Sequence, residues 1–263
     1  MKKELNQISV DIILPNYNSA PYLAETIDSI INQTFKNWKL IIVDGNSNIV
    51  TKKILEKYKN NTNINIIWLK KNKKAGFCRN LAIRNSKSEY IAFVDSDDVW
   101  EDEKLSKQLD FMIKNKYYFT YTNYLTFKSE NKQNNFKKIT PEKFFTFEKF
   151  IKSTSIATST MIVKRFSVGN IKFSNTKICE DYFFKCQILK KVSYAHCLPE
   201  SLTKYRIRND SLQSNKIRNF YLYTKSNKDF LFYYFAMNFF LFYILLNFLV
   251  NSEHSLLFLG FDT

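Results

Sequence analysis

Residues 90–98 read YIAFVDSDD, an apolar run that ends in a turn carrying three carboxylates. A short apolar run bounded by turn residues is typical of a strand that is buried on both faces of a parallel sheet. The same pattern occurs at residues 10–18, which read VDIILPNYN, and at residues 39–47, which read KLIIVDGNS. We therefore predict three buried strands, at residues 10–14, 39–43 and 90–94, each followed directly by a polar turn.

Helical patterns separate these apolar runs. Ser19 and Pro21 are typical of a helix start, with Ser19 as the capping residue, and apolar residues recur at helical spacing after them. Two further helices are predicted near residues 50–58 and 75–85, with a strand at residues 64–69 between them. This alternation predicts an α/β fold with a mostly parallel central sheet flanked by helices. Because ligands bind beyond the carboxyl ends of such strands, we expect the polar turns to form one site.

The second half of the chain has a less regular pattern. A helix with Leu105, Leu109 and Met112 on one face is predicted after the acidic turn. The remaining predictions are strands at residues 117–127, 158–164, 193–196 and 202–207, helices at residues 141–152 and 180–190, and a polar connection at residues 128–138.

Scarce glycine and histidine exclude several classes of site. The four glycines of the 263-residue chain are scattered, whereas dinucleotide-binding turns and P-loops need clustered glycines. Two histidines and four cysteines without a C-x-x-C pair do not form a ligand set for zinc. Residues 1–11 have no secretory signal pattern, so we expect reduced cysteines and a cytoplasmic location.

The chain is strongly basic, with 40 Lys and Arg residues against 24 Asp and Glu residues and a formal charge of +16. Such a charge attracts phosphorylated ligands, nucleic acid or an anionic membrane surface, and charge alone does not choose among them. Many of the lysines are dispersed among asparagines, a pattern that solvated surfaces also show.

The C-terminal segment differs in composition from the rest of the chain. Residues 230–250 read FLFYYFAMNFFLFYILLNFLV and carry no charge. At about 1.5 Å per residue, a helix of this length crosses most of a hydrocarbon core of roughly 30 Å. We predict a hydrophobic helical tail that spans the membrane or lies on its cytoplasmic face. The alternative is a terminal helix buried against the domain or against a partner.

The turn at residues 95–98 concentrates negative charge. Asp95, Asp97 and Asp98 repel one another unless they face water or a cation. Carboxylate oxygens suit Mg²⁺ or Mn²⁺, which binds through one or two carboxylates together with substrate phosphates. The alternative is an acidic turn that precedes a helix and interacts favourably with its positive end.

Six motifs appear in one order along the chain, and together they resemble the signature of family-2 inverting glycosyltransferases with the Rossmann-like GT-A fold. The resemblance is strongest to bacterial enzymes that build teichuronic acid, O-antigen or capsule, and it covers residues 8–215. The motifs are ILPNYN (13–18), IIVDGNS (41–47), AGFCRNLAI (75–83), YIAFVDSDD (90–98), CEDYFF (179–184) and YRIRNDSL (205–212).

The resemblance implies a role for several residues. Asp181 would be the catalytic base, and Asp97 would bind a divalent cation, Mn²⁺ or Mg²⁺. Glu180, Arg206 and Arg208 would contact phosphate or the acceptor. The implied donor-binding residues are Pro15, Tyr17, Asp44, Arg79, Asp95 and Ser96.

Each of these assignments has a simpler alternative. Asp181 could be a helix-start carboxylate, Tyr17 a packed aromatic residue, and Arg79 a solvated helix residue. The two arginines near the end of the last motif could belong to a solvated edge strand. Gly45 stands where many relatives carry a second aspartate that reads uracil, and the family often has a histidine near Arg208.

The resemblance also implies a metal-dependent hexosyl- or N-acetylhexosaminyltransferase. Its donor would be a nucleotide-diphosphate sugar, with UDP as the family-wide expectation, and its acceptor a glycan or lipid-linked glycan at the inner face of the cell membrane. The implied organisation is a nucleotide-sugar half at 1–105, an acceptor half at 106–218 and the tail at 219–263. A non-catalytic, membrane-tethered nucleotide-sugar-binding protein is the alternative, and no motif supports nucleic-acid binding.

Overall fold

The computed structural model describes residues 8–128, 136–153, 155–175 and 180–208, all within one compact unit of residues 1–214. The predicted tail at 219–263 lies outside the described residues. Within the described ranges, no helix combines the length and the apolar character that crossing a bilayer requires. The boundary at residues 105 and 106 between a donor half and an acceptor half stays a prediction.

The first half of the chain alternates strands and helices as predicted. Four parallel strands stand in the order β3-β2-β1-β4, and Asn16 of β1 is paired with Asp44 of β2. The polar turns that follow β1 and β2 therefore lie side by side at one edge of the sheet. These elements are β1 Val10–Asn16, α1 Ala20–Ile31, β2 Trp38–Asp44, α2 Ile49–Glu56, β3 Ile64–Trp68, α3 Ala75–Asn85 and β4 Tyr90–Phe93.

The core of this half explains why these segments form strands and helices. Every residue of β1 and β4 is buried, so both strands are covered on their two faces. Helix α1 packs onto the sheet through Leu23, Ile27 and Ile30, none of which is exposed. Each such side chain contributes about 1.5–3 kcal/mol through its burial.

The second half completes the sheet with strands of both directions. Strand β9 is antiparallel to both β4 and β6, whereas β10 is parallel to β6 and antiparallel to β5. The elements are β5 Val99–Trp100, α4 Lys104–Lys114, β6 Phe119–Phe127, β7 Lys137–Ile139, β8 Phe144–Phe145, α5 Phe147–Ser153, β9 Ile162–Lys164, α6 Arg165–Val168, α7 Glu180–Val192 and β10 Ala195–Arg206. The sheet is therefore mixed, which corrects the prediction of a mostly parallel sheet: β5, β7, β8 and β9 pair antiparallel with their neighbours, whereas β6 and β10 pair parallel with each other.

Three predictions of local structure in the second half are also wrong. The strand predicted at residues 158–164 begins with a 3₁₀ turn, Thr158–Thr160, and only then becomes β9. The helix predicted at 141–152 begins later because Phe144 and Phe145 pair with β10. The two short strands predicted at 193–196 and 202–207 are one long strand whose register with β6 shifts twice.

The turns that follow β1 and β2 hold each other in place. Asn18 and Asn46 have positive φ angles of 52° and 68°, a region that asparagine tolerates better than most residues. The Asn18 side chain accepts a hydrogen bond from the backbone of Asn48 at 2.8 Å. Ser19 occupies the predicted N-cap position of α1, but its hydroxyl makes no capping hydrogen bond and donates instead to Asn16.

Candidate active site

The acidic turn follows β4 at the edge where the parallel strands end. Asp95 and Asp97 are partly exposed, whereas Asp98 is only 1% exposed. The buried carboxylate of Asp98 accepts hydrogen bonds from the backbone N–H of Arg206 at 2.9 Å and from the hydroxyl of Ser159. Burial and the charges of Asp95 and Asp97 raise the pKa of Asp98. The expectation that all three carboxylates face water or a cation is therefore wrong for Asp98.

The negative charge of Asp97 is only partly compensated. Burial and the neighbouring Asp95 raise the pKa of Asp97, and Arg208 opposes this rise only in part. Arg208 Nη1 donates to Asp97 Oδ2 at 3.1 Å. A carboxylate whose charge is disfavoured in this way suits a hard divalent cation.

Arg79 connects the acidic turn to the start of α7. Its side chain is 5% exposed, and it donates to Asp95 Oδ1 at 2.5 Å and to Glu180 Oε1 at 2.9 Å. Burial would lower the pKa of Arg79, but the surrounding carboxylates outweigh burial and raise it. Among the described residues, the Nε atom of Arg79 has no hydrogen-bond partner. Arg79 is therefore a buried cation and not the solvated helix residue of the alternative reading.

Gly76 makes this close approach sterically feasible. A Cβ atom at this position would lie 2.6 Å from the carbonyl oxygen of Ser174 and 3.2 Å from Cγ of Glu180. A larger residue at position 76 would therefore push Ser174 and Glu180 away from helix α3 and from Arg79.

Asp181 lies in the first turn of α7, and 23% of its side chain is exposed. Its Oδ2 atom accepts hydrogen bonds from Thr158 Oγ1 at 2.8 Å and from Lys185 Nζ at 2.7 Å. Burial would raise the pKa of Asp181, but Lys185, Arg79 and the Thr158 hydroxyl outweigh burial and hold it well below its usual range. Asp181 is therefore an ionised carboxylate that is partly open to solvent.

The 3₁₀ turn connects the acidic turn to the start of α7. Thr158 contacts Asp181, and the next residue, Ser159, accepts a hydrogen bond from the backbone N–H of Asp95 at 3.0 Å and donates to Asp98. Two adjacent side chains thus hold the acidic turn on one side and the start of α7 on the other.

The remaining predicted donor residues lie at the ends of β1 and β2. Pro15 is buried, Tyr17 is 48% exposed, and Ser96 is half-buried in the acidic turn. Asp44 is fully buried and accepts hydrogen bonds from Asn16 Nδ2 at 2.7 Å and from Ser47 Oγ at 2.5 Å. The buried side chain of Asp44 therefore stabilises the turn that follows β2 through these hydrogen bonds.

Gly45 also leaves little space for a larger residue. A Cβ atom there would lie 3.0 Å from the carbonyl oxygen of Lys73 and 3.3 Å from that of Asn16. The segment that follows β3 therefore packs closely against the position where many relatives are expected to carry a second aspartate.

The two predicted phosphate arginines have different surroundings. Arg206 is 6% exposed, and it donates to the carbonyl oxygen of Asp97 at 2.8 Å and to Glu25 at 2.5 Å. Its guanidinium group also lies over the ring of Tyr22. Arg206 therefore binds the backbone of the acidic turn from the protein interior, whereas Arg208 binds the partly exposed carboxylate of Asp97.

Three residues of this site do not appear among the predicted functional residues. Thr158 and Ser159 contact partners that are 23 to 64 positions away along the chain, and no local pattern indicates such contacts. Lys185 could have been found, because a carboxylate and a lysine four residues apart on a helix face each other.

The arrangement combines two chemical capabilities. An ionised, partly exposed carboxylate can accept a proton, and an acidic turn with surplus charge can hold a cation. Within the described ranges, no group of three or more His, Cys, Asp or Glu residues is placed to hold a metal ion by itself. Mg²⁺-type sites commonly use one or two carboxylates and complete the shell with water and substrate phosphates, so Asp97 fits this role.

Comparison with known proteins identifies the family. The sequence profile described as "Glycosyl transferase family 2" matches residues 11–172. The chain is 34% identical to TuaG of Bacillus subtilis (strain 168), which is named for teichuronic acid biosynthesis, over 78% of this chain and 81% of TuaG. It is 36% identical to the Escherichia coli protein WfaP over 78% of this chain and 80% of WfaP. WfaP is named as a UDP-Glc:alpha-D-GlcNAc-diphosphoundecaprenol beta-1,3-glucosyltransferase.

Solved structures share the fold at lower identity. TarS of S. aureus in complex with UDP-GlcNAc superposes with a TM-score of 0.67 at 23% identity, over 79% of this chain and 61% of that chain. PcManGT, a mannosyltransferase from Pyrobaculum calidifontis in complex with GDP-Man and Mn²⁺, gives a TM-score of 0.64 at 14% identity, over 84% of this chain and 65% of that chain. With its profile match, its relatives and this GT-A fold, the chain belongs to glycosyl transferase family 2.

Proposed function

We propose that this protein transfers a sugar from a nucleoside-diphosphate donor to a hydroxyl group of a glycan or lipid-linked glycan in bacterial surface polysaccharide synthesis. Asp181 is the general base, and Asp97 in the acidic turn would hold a divalent cation that supplies positive charge to the diphosphate of the donor. The observation that carries this proposal is the pair of adjacent contacts by which Thr158 and Ser159 hold Asp181 beside the acidic turn.

The base has the properties that the reaction requires. The acceptor hydroxyl must lose its proton as it attacks the anomeric carbon, and a carboxylate that is ionised at neutral pH can take that proton. Asp181 is kept ionised by Lys185 and Arg79, and part of its side chain is open to an incoming acceptor. A single displacement with inversion follows, since Asp181 acts on the acceptor and not as a nucleophile on the sugar.

The donor side requires positive charge. Asp97 would hold the divalent cation, whose charge, when bound, would stabilise the departing diphosphate. Arg79 holds Asp95 of the same turn through a hydrogen bond, and the exposed Tyr17, which follows β1, would cover the nucleotide base. Arg206 holds the backbone of Asp97 in place by donating a hydrogen bond to its carbonyl oxygen.

The relatives support a choice of substrates. WfgD and WfaP of Escherichia coli are named as enzymes that use UDP-Glc and a GlcNAc-diphosphoundecaprenol acceptor. TarS has been solved with UDP-GlcNAc, and PcManGT with Mn²⁺. We accordingly propose a UDP-sugar as donor, Mn²⁺ or Mg²⁺ as cation, and a lipid-linked acceptor at the cytoplasmic face of the membrane.

The test uses the full chain with UDP-glucose, UDP-GlcNAc or GDP-mannose, Mn²⁺ and a GlcNAc-diphospho-lipid acceptor. We expect Asp181→Asn to lower the transfer rate by about 10²–10⁴-fold while UDP binding is kept, because only proton removal is lost. Asp97→Asn should remove the Mn²⁺-dependent part of UDP binding measured by calorimetry. Asp110→Asn, which breaks only an ion pair with Lys114 within α4, is the matched control and should keep full activity.

The outcomes separate the two functional hypotheses. Full transfer activity in Asp181→Asn would remove this residue as the base. Binding of UDP without turnover of any of the three donors would favour the non-catalytic nucleotide-sugar-binding protein. A donor preference for GDP-mannose would contradict the proposed UDP specificity and leave the base unaffected.

A further inference from the structure

Helix α7 contains a buried lysine that the proposed reaction does not itself require. The Lys185 side chain is 3% exposed and lies one helical turn after Asp181. Its ammonium group donates to Asp181 Oδ2 at 2.7 Å and to the carbonyl oxygen of Ile156 at 2.8 Å. Removing an ammonium group from water is costly, so a lysine persists in such a place only where specific partners compensate it.

We propose that Lys185 is the positioning residue of Asp181: it fixes one carboxylate oxygen and leaves the other to receive the proton of the acceptor hydroxyl. This inference rests on the proposed function of Asp181 as the base. Lys185 itself touches neither donor nor acceptor in this mechanism.

The hydrogen bonds to Asp181 are one-sided. Thr158 and Lys185 both donate to Oδ2, and no described residue donates to Oδ1. With Oδ2 held by two donors, the carboxylate cannot rotate freely about its terminal bond. The arrangement follows the general pattern in which a base is oriented by a third group on its far side.

Lys185 also joins Asp181 to the segment that precedes the 3₁₀ turn. The ammonium group binds the carbonyl oxygen of Ile156, and Thr158 lies two residues further along the same segment. Both contacts to Asp181 Oδ2 therefore depend on a single short stretch of backbone and on helix α7.

The charges around Asp181 are consistent with this role. Lys185 and Arg79 favour the ionised carboxylate, whereas burial disfavours it. Glu180 is the neighbouring negative charge, and it is paired with Arg79. The polar groups that face Asp181 are Glu180, Lys185 and Cys186 from its own helix, Arg79 from α3, Thr158 from the 3₁₀ turn and Tyr205 from β10.

The first experiment measures the ionisation of Asp181 without any substrate. In full-length protein labelled with ¹³C at aspartate carboxyl carbons, the Asp181 resonance is identified by its loss in Asp181→Asn. Lys185→Met keeps an unbranched side chain, one atom shorter than lysine, and removes the charge, so the titration midpoint of Asp181 should rise by about 1–3 pH units. Lys104→Met also removes a buried lysine, but one that donates to Gln108 and has no carboxylate partner among the described residues, and it should leave this midpoint unchanged.

The second experiment measures transfer with the UDP-sugar that the wild-type protein uses. Lys185→Met should lower kcat by about tenfold or more, because the base is no longer oriented, and leave the KM for the donor within about twofold. The acid limb of its pH–rate profile should move to higher pH together with the carboxyl titration. Lys185→Arg, which retains a positive charge, should keep the midpoint low.

Three results would overturn the inference. The first is a folded Lys185→Met protein in which the titration of the Asp181 carboxyl is not shifted. The second is a Lys185→Met protein with an unchanged kcat, under conditions in which Asp181→Asn is inactive. If Lys185→Met fails to fold, the double variant Lys185→Met/Asp181→Asn should fold, because both charges are gone. Failure of the double variant to fold would mean that Lys185 acts only through Ile156. Full activity in Asp181→Asn alone would instead contradict the proposed function.

Discussion

The acidic turn and the start of helix α7 both contact the 3₁₀ turn Thr158–Thr160, yet the pKa values of their carboxylates Asp97 and Asp181 are shifted in opposite directions. At the turn, burial and mutual repulsion raise the pKa values of Asp97 and Asp98. At the start of α7, Lys185 and Arg79 hold the pKa of Asp181 well below its usual range. Asp97 and Asp98 in the turn are thus compensated only in part, whereas Asp181 is compensated by Lys185 and Arg79.

This difference indicates how each region obtains its positive charge. A carboxylate with a built-in ammonium partner is ready to accept a proton before any ligand arrives. A turn whose negative charge is only partly compensated gains most from a cation that comes with the substrate. In the proposed mechanism, the folded chain itself keeps Asp181 ionised, whereas ligand binding would complete the donor site.

The largest expected effect comes from removing the residue that connects the two regions. Arg79→Met leaves Asp95 and Glu180 without their shared buried cation, so we expect a loss of about 3–5 kcal/mol in the free energy of unfolding. The measurement is urea denaturation followed by circular dichroism. Arg79→Lys keeps the charge but lacks the planar fork that spans two carboxylates, and it should recover only part of this loss.

The exposed Arg84 at the end of the same helix offers a matched control. Arg84→Met should change the free energy of unfolding by no more than about 0.5 kcal/mol. An Arg79→Met protein as stable as the wild type would mean that the two regions are not coupled through this residue.

The second prediction compares Lys185 with Lys104, a buried lysine that lies outside both regions. Lys104, at the start of α4, has no carboxylate partner among the described residues and instead donates to Gln108 and lies 4.2 Å from the ring centre of Trp100. Burial lowers the pKa of Lys104 to about 7. Lys104→Met should therefore raise the free energy of unfolding at pH 7 by about 1–4 kcal/mol, whereas Lys185→Met should lower it.

The pH dependence of the Lys104 effect has a definite sign. Between the folded pKa of about 7 and the ordinary value of 10.5, the unfolded chain binds more protons at Lys104 than the folded chain does. The wild-type protein thus gains stability at this site as the pH rises through that window. The advantage of Lys104→Met should be largest near pH 7 and shrink towards about pH 10. A constant difference across this range would contradict the assignment of a buried, deprotonating lysine.

The smallest expected effect tests the surplus charge of the acidic turn. Without metal, Asp97→Asn should raise the melting temperature slightly, through a gain of about 1 kcal/mol or less, because it removes a disfavoured charge. With Mn²⁺ and UDP, the order should reverse, since only the wild-type protein gains from binding. Differential scanning fluorimetry under both conditions measures this change of sign. A stabilisation by Mn²⁺ and UDP that is equal in both proteins would contradict the cation role of Asp97.

The sequence predicted the donor side of the fold with good accuracy. Helix α3 has the predicted bounds, and β1, β2 and β4 lie within about two residues of theirs, because each is a short apolar run bounded by turn residues. The later elements were predicted less well. Phe144–Phe145 and the 3₁₀ turn depend on pairing and hydrogen bonding with distant residues, which local patterns do not encode.

The candidate site shows the same division. Asp95, Asp97, Arg79 and Asp181 were identified from motifs, and in the structure Arg79 contacts Asp95 while Thr158 and Ser159 connect Asp181 to the acidic turn. The burial of Asp98 and Arg206 was not foreseen, because it depends on contacts between the turn and β10, more than 100 residues away. A motif specifies residue types and their spacing, but not which side of a turn will face solvent.

The sequence by itself determined the strand-and-turn pattern, the family and the identity of the chemically capable residues, because these follow from local hydrophobic periodicity and from short ordered motifs. Only the tertiary structure decided which carboxylates carry surplus charge and which are compensated. That distinction depends on the burial of each group and on the few ångströms that separate it from Lys185, Arg79 or another carboxylate. Electrostatic energies in a protein interior vary with distance and solvent exposure, and both are set by long-range packing.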